Sequence, residues 1–247
     1  EKGVCTHSSG NHAQAVAFSA QKRGIPAYIV MPNNSPDVKL NAVKGYGANV
    51  TLCKPTLEAR RTTLEGIAEQ TGAAVIHPFN NANVIAGQGT AALELIEEVG
   101  ELDAIIAPIG GGGLMSGTCI TTRSLLPDAK LFGAEPKGAD DAYRSLKEGK
   151  LLPQEDPRTI CDGLLTSMGE NTWNILKDHL DAIYTVSDED VVQSMRLIWE
   201  RMKIIIEPSC ATPVAVVMSS EFKQLENIEK VGIILTGGNV DLEKLPF

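Results

Sequence analysis

The sequence predicts an α/β protein built on parallel sheets, and three observations support that class. Short β-like runs alternate with helical stretches of about 10–15 residues, which is the pattern of successive βαβ units. The chain has 247 residues, enough for one large domain or two small ones. Apolar residues make up 43% and charged residues 21% of it, which is typical of a globular protein and not of a disordered chain or a coiled coil.

The predicted elements of the first half alternate regularly. A strand at Gly3–Thr6 leads into an Ala-rich helix, from Asn11 to Arg23, that ends at Gly24. Pro36 lies just inside the second helix, where a missing N–H group is tolerated. The remaining elements of this half are strands at 27–31, 49–53 and 73–76 and helices at 35–44 and 56–70.

The second half begins after the loop Pro78–Asn83, which we predict to be the seam between two α/β lobes. A helix at 86–99 and the strand Ala104–Ile109 come first, and four glycines then lead into a helix that ends at Leu126. The later predicted elements are strands at 130–134 and 231–235, helices at 138–150, 171–179 and 188–203, a loop at 151–157 and an apolar segment at 211–220.

Charge and cysteine content exclude several classes of protein. The formal net charge of −9 argues against a broad nucleic-acid-binding surface. No run approaches 18 uninterrupted apolar residues, so the sequence predicts no membrane span. Five scattered cysteines fit neither a disulfide framework nor paired CxxC metal knuckles. We therefore expect a cytoplasmic protein with no nucleic-acid or membrane partner.

Two of the strand-to-helix turns contain side chains suited to binding an anion. Ser8-Ser9-Gly10-Asn11 precedes a helix N-terminus, where free N–H groups and the helix dipole favour a carboxylate or phosphate. A simple helix N-cap would also explain these residues. Thr236-Gly237-Gly238-Asn239 directly follows the last strand. Because ligands bind at the C-terminal ends of parallel strands, such turns favour a shared pocket.

A third turn, Gly110–Gly113, gives the sharpest signal. Four consecutive glycines provide no side-chain packing, and the usual reason for them is close approach of the backbone to a phosphate. A tight packing turn is the alternative. A Walker A loop is excluded because no lysine follows Gly117, and a Rossmann fingerprint would require glycine at Met115 or Ser116. A nicotinamide-binding module, with Glu135 on a ribose, is therefore a weak hypothesis, and a mononucleotide-like cofactor fits better.

Four strings, in this order and spacing, resemble the fold-type II pyridoxal-phosphate enzymes: SSGNHAQA, VIAGQGT, GGGG before a helix, and TGGNV. The resemblance covers essentially the whole chain and lies with the branch of serine racemases and serine/threonine dehydratases. GAEPKGADDAYRSLKEGK, CDGLLTSMGENTW and ERMKIIIEPS are similar to the racemases, whereas HPFNN is closer to the HPFDD of dehydratases. The resemblance implies two open, mostly parallel sheets flanked by helices, as in the tryptophan synthase β subunit.

The resemblance also implies an activity that depends on pyridoxal 5'-phosphate. We expect racemisation of L-serine to D-serine, with β-elimination of serine to pyruvate and ammonia. The alternative is a serine, threonine or 3-hydroxyaspartate dehydratase without significant racemase activity. Homodimerisation is expected by the same analogy.

Roles for individual residues follow from their match to the family's motifs. Ser9 matches the serine that exchanges the Cα proton on the face opposite the family's lysine, and Thr236 the hydroxyl beside the pyridine nitrogen, where serine is commoner. The substrate-binding positions are Ser8, Ser9, Gly10, Asn11, His12 and Arg60. The cofactor-binding positions are Asn11, Gly110, Gly111, Gly112, Gly113, Gly163 and Thr236. Without the resemblance, His12 would be read as a surface or capping residue and Arg60 as part of a solvated helix face.

The resemblance further implies a cation site and an allosteric nucleotide site. Glu135, Ala139 and Asp141 match a divalent-cation site, since two carboxylates and a carbonyl oxygen suit Mg²⁺ or Ca²⁺; from sequence alone they would be an exposed acidic stretch. ATP acts as an allosteric effector in the animal members. The positions that match their ATP site are Gln14, Ala42, Tyr46, Lys203, Glu207 and Asn239.

The family's Schiff-base lysine lies in a Ser-Phe-Lys-x-Arg-Gly motif, which does not occur in these 247 residues. The resemblance therefore predicts a small, mobile substrate-binding domain at 1–78 and a large domain at 79–247 that binds pyridoxal phosphate but lacks its N-terminal part. The alternative for the chain as it stands is a catalytically silent fragment, because without the lysine cofactor binding and turnover should collapse.

Overall fold

The computed structural model describes residues 2–247, except for the side chain of Leu57, and consists of two compact units. The first unit runs up to Pro78 and includes Asn239–Leu245, and the second contains Phe79–Gly238 and Pro246–Phe247. Glu1, with which the predicted first domain begins, lies outside the described residues. Among residues 2–247 no helix has both the length and the apolar character needed to cross a bilayer.

The first unit is a four-stranded parallel sheet with helices on both faces. The strands lie in the order β3-β2-β1-β4. Along the chain the elements are β1 (Val4–His7), α1 (Asn11–Arg23), β2 (Ala27–Pro32), α2 (Asp37–Gly45), β3 (Asn49–Cys53), α3 (Leu57–Thr71) and β4 (Ala74–Val75). Gly24 ends α1 in the left-handed conformation, with φ of 65°, as its position in the sequence predicts.

Alternation along β2 assigns its side chains to the two faces of this sheet. Ile29 and Met31 pack with α1 and α2 in one buried cluster. Val30 points to the opposite face and packs with Cys5 and with Leu64 of α3. Burial on both faces explains why the strand is an almost continuous apolar run.

The second unit contains another four-stranded parallel sheet, with the strand order β7-β6-β5-β8. Its elements are α4 (Ala82–Val99), β5 (Ala104–Pro108), α5 (Gly113–Leu125), β6 (Lys130–Pro136), α6 (Asp141–Glu148), α7 (Glu170–His179), β7 (Ala182–Val186), α8 (Asp188–Met202), α9 (Pro208–Met218) and β8 (Val231–Ile233). Single 3₁₀ turns lie at Asp162–Leu164 and Phe222–Gln224.

The main core of the second unit lies between its sheet and helices α4 to α7. Ile105 and Ala107 of β5 face this cluster, which also contains Trp173 and Leu176 of α7. On the opposite face α9 packs across β5, β6 and β7. The two faces are covered by helices, so the predicted α/β class with parallel sheets is confirmed.

The structure differs from the sequence prediction at the start of one helix and in one additional strand. Helix α4 begins at Ala82, inside the predicted loop, because the Asn81 side chain accepts the N–H groups of Asn83 (2.9 Å) and Val84 (3.2 Å) and caps the helix there. Strand β7 was not predicted at all; it pairs in parallel with β6 and forms an edge of the sheet. The apolar segment predicted at 211–220 is most of helix α9.

Candidate active site

Strand order locates a candidate ligand crevice in the first unit. Strands β2 and β3 lie on one side of β1 and β4 lies on the other, so the topology reverses between β1 and β4. In open parallel sheets, ligands bind outside the carboxyl ends of the strands at such a switch point. The loop Ser8–Asn11 directly follows β1, and His77 follows β4. The predicted substrate loop therefore lies where the fold favours a ligand.

The loop is held by a main-chain and a side-chain hydrogen bond, and the start of α1 has no side-chain cap. Ser8 donates its N–H to the carbonyl of Val30 (3.1 Å), and its hydroxyl accepts the N–H of Gly10 (3.3 Å). Gly10 is the N-cap residue and has no side chain, and the first turn of α1 contains no acidic residue. The partial positive charge of the helix N-terminus is therefore not neutralised by a carboxylate of its own first turn. The Asn11 side-chain oxygen accepts a hydrogen bond from Asn239.

Three histidines surround this end of the first sheet. His12 donates Nε2–H to the carbonyl of Ile76 (3.1 Å), so it is half-buried and bonded across to the end of β4, not a surface or capping residue. Burial lowers the pKa of His12, and nearby His77 and His7 lower it further, against the opposing effect of the Ile76 hydrogen bond. Burial also lowers the pKa values of His7 and His77. All three imidazoles therefore favour the neutral form.

Two cationic side chains of the same unit, Arg60 and Lys39, are at least partly buried. The Nε of Arg60 is buried and has no hydrogen-bond acceptor among the described residues, whereas Arg61 is exposed and pairs with Glu65 (2.8 Å). Lys39 of α2 is only 8% exposed. Its Nζ lies 3.9 Å from the point that a Cβ on Gly10 would occupy. The sequence analysis missed Lys39 because its position beside Gly10 depends on how α2 packs on the sheet.

The second unit has its own switch point, between β5 and β8. The glycine loop Gly110–Gly112 follows β5 and leads into α5, while Thr236 and Gly237 follow β8. Gly112 is the N-cap residue of α5, with φ of +86°, and no acidic residue lies in the first turn of that helix. In the described part of the chain, the N–H groups of Gly110, Gly111 and Gly112 donate to no protein acceptor.

Unpaired N–H groups in a turn at a helix N-terminus form a cradle for an anion, and a phosphate fits it. The alternative explanation, a tight packing turn, also applies, because neighbouring side chains leave no room for a Cβ on these glycines. A Cβ on Gly111 would lie 2.1 Å from the Phe79 ring, and one on Gly112 would lie 2.9 Å from Cβ of Thr172. A Cβ on Gly113 would likewise approach Phe79 to 2.9 Å. The glycines are therefore required by the protein's own packing, and their free amides remain available to a ligand.

Gly163 and Thr236 lie near the N-termini of α5 and α9. A Cβ on Gly110 would lie 3.0 Å from the Gly163 carbonyl, and Gly163 donates its N–H to the hydroxyl of Ser209 (3.0 Å). Thr236 donates its N–H to the sulfur of Cys210 (3.1 Å) and has an exposed side chain. Burial raises the pKa of Cys210, so its thiol is neutral at physiological pH. The five cysteines are all free thiols.

The two carboxylates at the predicted cation site are completely buried. Glu135 accepts the N–H groups of Ala142 (3.1 Å) and Tyr143 (2.7 Å). Asp141 accepts the N–H of Met168 (2.9 Å) and a side-chain amide hydrogen of Gln154 (3.0 Å). Burial raises the pKa of Glu135 well above its usual range and that of Asp141 to about 6.

These carboxylates are not the exposed acidic stretch that the sequence alone indicated. Among residues 2–247 no group of three or more His, Cys, Asp or Glu side chains could hold a metal ion. The predicted site has only two side-chain ligands, Glu135 and Asp141, so it differs from such a cluster; the carbonyl oxygen of Ala139 and water would complete it. Carboxylate and carbonyl oxygens are the ligands that Mg²⁺ and Ca²⁺ prefer, so the donor set fits such a cation.

The predicted nucleotide-binding positions are divided between the two units. Gln14, Ala42, Tyr46 and Asn239 belong to the first, and Lys203 and Glu207 to the second. The side-chain nitrogen of Gln14 is buried without a hydrogen-bond partner among the described residues. Lys203 ends α8 in the left-handed conformation, with φ of 61°, and donates to the carbonyl of Glu200 (2.6 Å).

Comparison with known proteins identifies the family. The model of the family described as pyridoxal-phosphate dependent enzymes matches residues 1–237. A serine racemase of Dictyostelium discoideum is 54% identical over 246 residues, which are 99% of this chain and 76% of the relative. A beta-hydroxyaspartate dehydratase of Paracoccus denitrificans is 47% identical over 246 residues, 100% of this chain and 78% of the relative.

Solved structures agree with the sequence comparison. Maize serine racemase superposes with a TM-score of 0.97 at 45% identity, covering 98% of this chain and 75% of that one. The chain belongs to the pyridoxal-phosphate-dependent enzyme family, and the predicted fold-type II architecture is confirmed. The enzyme class is therefore established, and the weak hypothesis of a nicotinamide-binding module is wrong.

Proposed function

We propose that this protein racemises L-serine to D-serine with pyridoxal 5'-phosphate as cofactor and also eliminates water from serine. One observation carries the proposal: Ser9 lies in the loop at the β1–β4 switch point of a chain that is 54% identical to a serine racemase over nearly its whole length. The family resemblance gives this serine the role of exchanging the Cα proton on one face of the substrate.

Racemisation and elimination begin with the same loss of the Cα proton. In racemisation, a proton taken from one face of Cα is returned to the opposite face, and no bond other than C–H changes. In elimination, the Cα proton and the β-hydroxyl leave together as water, and hydrolysis then gives pyruvate and ammonia. Because an unperturbed serine is a poor base, Ser9 needs partners that accept or deliver its proton.

The residues of the first unit supply the means to hold a carboxylate. We assign the substrate carboxylate to the N-terminus of α1, with Ser8, Ser9, Gly10, Asn11 and His12 around it. The N–H groups and helix dipole there favour an anion. The buried ammonium of Lys39 adds a positive charge near Gly10, and Arg60 is a second cation of the same unit.

The residues of the second unit fit the cofactor's phosphate. The N–H groups of Gly110 to Gly113 at the start of α5 would hold it, with Gly163 beside the loop and the Thr236 hydroxyl for the pyridine nitrogen. When bound, pyridoxal phosphate withdraws electrons from Cα and makes its proton acidic. We further propose that Asn11 contacts the cofactor's 3-oxygen, and that residues up to Pro78 form a mobile substrate domain.

Regulation and assembly complete the proposal. We assign a Mg²⁺ or Ca²⁺ ion to Glu135, Asp141 and the carbonyl of Ala139, because two buried carboxylates and a carbonyl suit a hard cation. ATP as an allosteric effector, a homodimeric state and a cytoplasmic location are proposed by family analogy alone. The ATP positions are Gln14, Ala42, Tyr46, Lys203, Glu207 and Asn239.

A dehydratase acting on 3-hydroxyaspartate is the second candidate. The identity of 47% to a beta-hydroxyaspartate dehydratase favours it. Lys39 and Arg60, two of the cationic residues of the first unit, would suit a substrate that carries a second carboxylate. HPFNN, which contains Phe79, also resembles the dehydratase string.

The experiment measures both products of serine turnover in protein made from the complete coding sequence, with pyridoxal phosphate and Mg²⁺. The complete coding sequence is specified because these 247 residues contain no Ser-Phe-Lys-x-Arg-Gly motif. We expect D-serine and pyruvate from L-serine. Threonine and 3-hydroxyaspartate are assayed in parallel, and rapid turnover of 3-hydroxyaspartate with no D-serine formed from L-serine would support the dehydratase instead.

A further inference from the structure

We propose that Thr172 is a positioning residue whose hydroxyl orients the glycine loop toward the cofactor's phosphate. The inference rests on the proposed role of Gly110–Gly113 as the phosphate site. Thr172 belongs to the first turn of α7 and is fully buried. It lies in the string CDGLLTSMGENTW, but the sequence alone assigns it no role.

The Thr172 hydroxyl joins the start of α7 to the glycine loop. It lies 2.8 Å from the carbonyl oxygen of Gly111, to which it donates, and it accepts the N–H of Gly169 (3.0 Å). The carbonyl of Gly169, at 3.0 Å, is the longer alternative acceptor for the same hydroxyl hydrogen. The hydroxyl therefore anchors a main-chain carbonyl of the loop to a helix that packs in the core of the same unit.

This anchor determines where the next amide points. In a trans peptide the C=O and the N–H lie on opposite sides of the C–N bond. Because Thr172 binds the carbonyl of Gly111, the N–H of Gly112 is directed away from α7. That N–H has no protein acceptor in the described part of the chain, so it is available to a phosphate oxygen.

Two side chains, Phe79 and Thr172, also restrict the glycine loop by direct packing. Phe79 occupies the space beside Gly111 and Gly113, so the loop cannot move toward that ring. The side chain of Thr172 lies against Gly112, which has a left-handed φ of +86°. A Cβ on Gly112 would lie only 2.9 Å from Cβ of Thr172. The hydroxyl of Thr172 adds a directional hydrogen bond to the peptide between Gly111 and Gly112, which packing alone does not orient.

The test compares the affinity for pyridoxal 5'-phosphate with that for pyridoxal, which lacks the phosphate. Equilibrium dialysis gives both dissociation constants for protein made from the complete coding sequence, as wild type and as Thr172→Val, which keeps the shape of the side chain and removes the hydroxyl. We expect Thr172→Val to reduce the preference for the phosphorylated ligand about tenfold, which corresponds to about 1.4 kcal/mol and lies within the range of a single hydrogen bond. Affinity for pyridoxal itself should change little.

Two further variants separate this role from a general loss of structure. Thr172→Ser keeps the hydroxyl and should retain the wild-type preference. Thr118→Val removes another fully buried hydroxyl, one with no hydrogen-bond partner among the described residues, and should leave the preference unchanged. An equal loss of affinity for both ligands in Thr172→Val would indicate a merely structural role and overturn the inference.

The outcomes also distinguish this inference from the proposed function. If the wild-type protein prefers the phosphorylated ligand and Thr172→Val keeps that preference, the role of Thr172 is wrong and the phosphate site stands. If the wild-type protein itself shows no preference for the phosphorylated ligand, the phosphate site is wrong and the role of Thr172 is rejected with it.

Discussion

Replacing Gly112 by alanine tests whether α7 packs against the glycine loop as closely as the structure indicates. A left-handed φ costs a non-glycine residue about 1–2 kcal/mol. The new methyl group would also lie 2.9 Å from Cβ of Thr172 and 3.2 Å from a methyl carbon of Leu176. Overpacking of this kind costs about 1–3 kcal/mol. Gly112→Ala should therefore lower the free energy of unfolding by about 2–5 kcal/mol.

Gly149→Ala is the matched control. Gly149 ends α6 at φ +69°, in the same unit, and a Cβ there would meet nothing within 4 Å. It therefore measures the backbone cost alone, about 1–2 kcal/mol. Both tryptophans, Trp173 and Trp199, belong to the second unit, so urea denaturation followed by their fluorescence reports on the unit that contains both substitutions. If Gly112→Ala costs no more than Gly149→Ala, the close packing of Thr172 on the loop is wrong.

Three further predictions concern buried polar groups. Thr118→Val should raise the free energy of unfolding by about 1–2 kcal/mol, because it removes a buried hydroxyl without a partner in the described chain; an unchanged or lower urea midpoint would contradict this. The pKa values of His7, His12 and His77 are lowered, so below about pH 6.5 the unfolded state binds more protons than the folded state. The contribution of these imidazoles to the stability of the first unit should therefore be complete above about pH 6.5 and should be lost as the pH falls. An NMR titration that places any of these imidazoles above 6.5 would refute the prediction. Mg²⁺ at a hundred times its Kd should stabilise the wild type by about 2.7 kcal/mol, and Glu135→Gln should lose most of that gain in thermal unfolding; equal stabilisation of both proteins would remove Glu135 from the cation site.

Local signals in the sequence account for much of the fold. The first helix was predicted with its correct bounds because Gly24 provides the left-handed residue that ends it. Strand β7 was missed although Ala182–Val186 is rich in β-branched and aromatic residues, since a five-residue run between two helices is a weak signal until β6 is known to lie beside it. The early start of α4 depends on the side-chain cap of Asn81.

Some residues of the candidate site could likewise be predicted from the sequence, and others could not. The loops at Ser8–Asn11 and Gly110–Gly113 could be found from the sequence, because a glycine or serine turn between a strand and a helix is a local pattern. Lys39 and Thr172 could not, because each reaches its loop through the packing of a helix that lies elsewhere in the chain. The polarity of a residue indicates its chemistry, but only the tertiary fold gives it a partner.

The most direct test of the central claim is the pair of products formed from L-serine by wild type and by Ser9→Ala, in protein made from the complete coding sequence. Ser19→Ala changes an exposed serine on helix α1, which follows the Ser9 loop, and serves as the control that should behave as wild type. We expect Ser9→Ala to lose D-serine formation and to retain pyruvate formation from L-serine, because only exchange on one face of Cα requires Ser9. D-serine formed at the wild-type rate by Ser9→Ala would contradict the assignment, and pyruvate as the sole product of wild type and variant alike would identify a dehydratase.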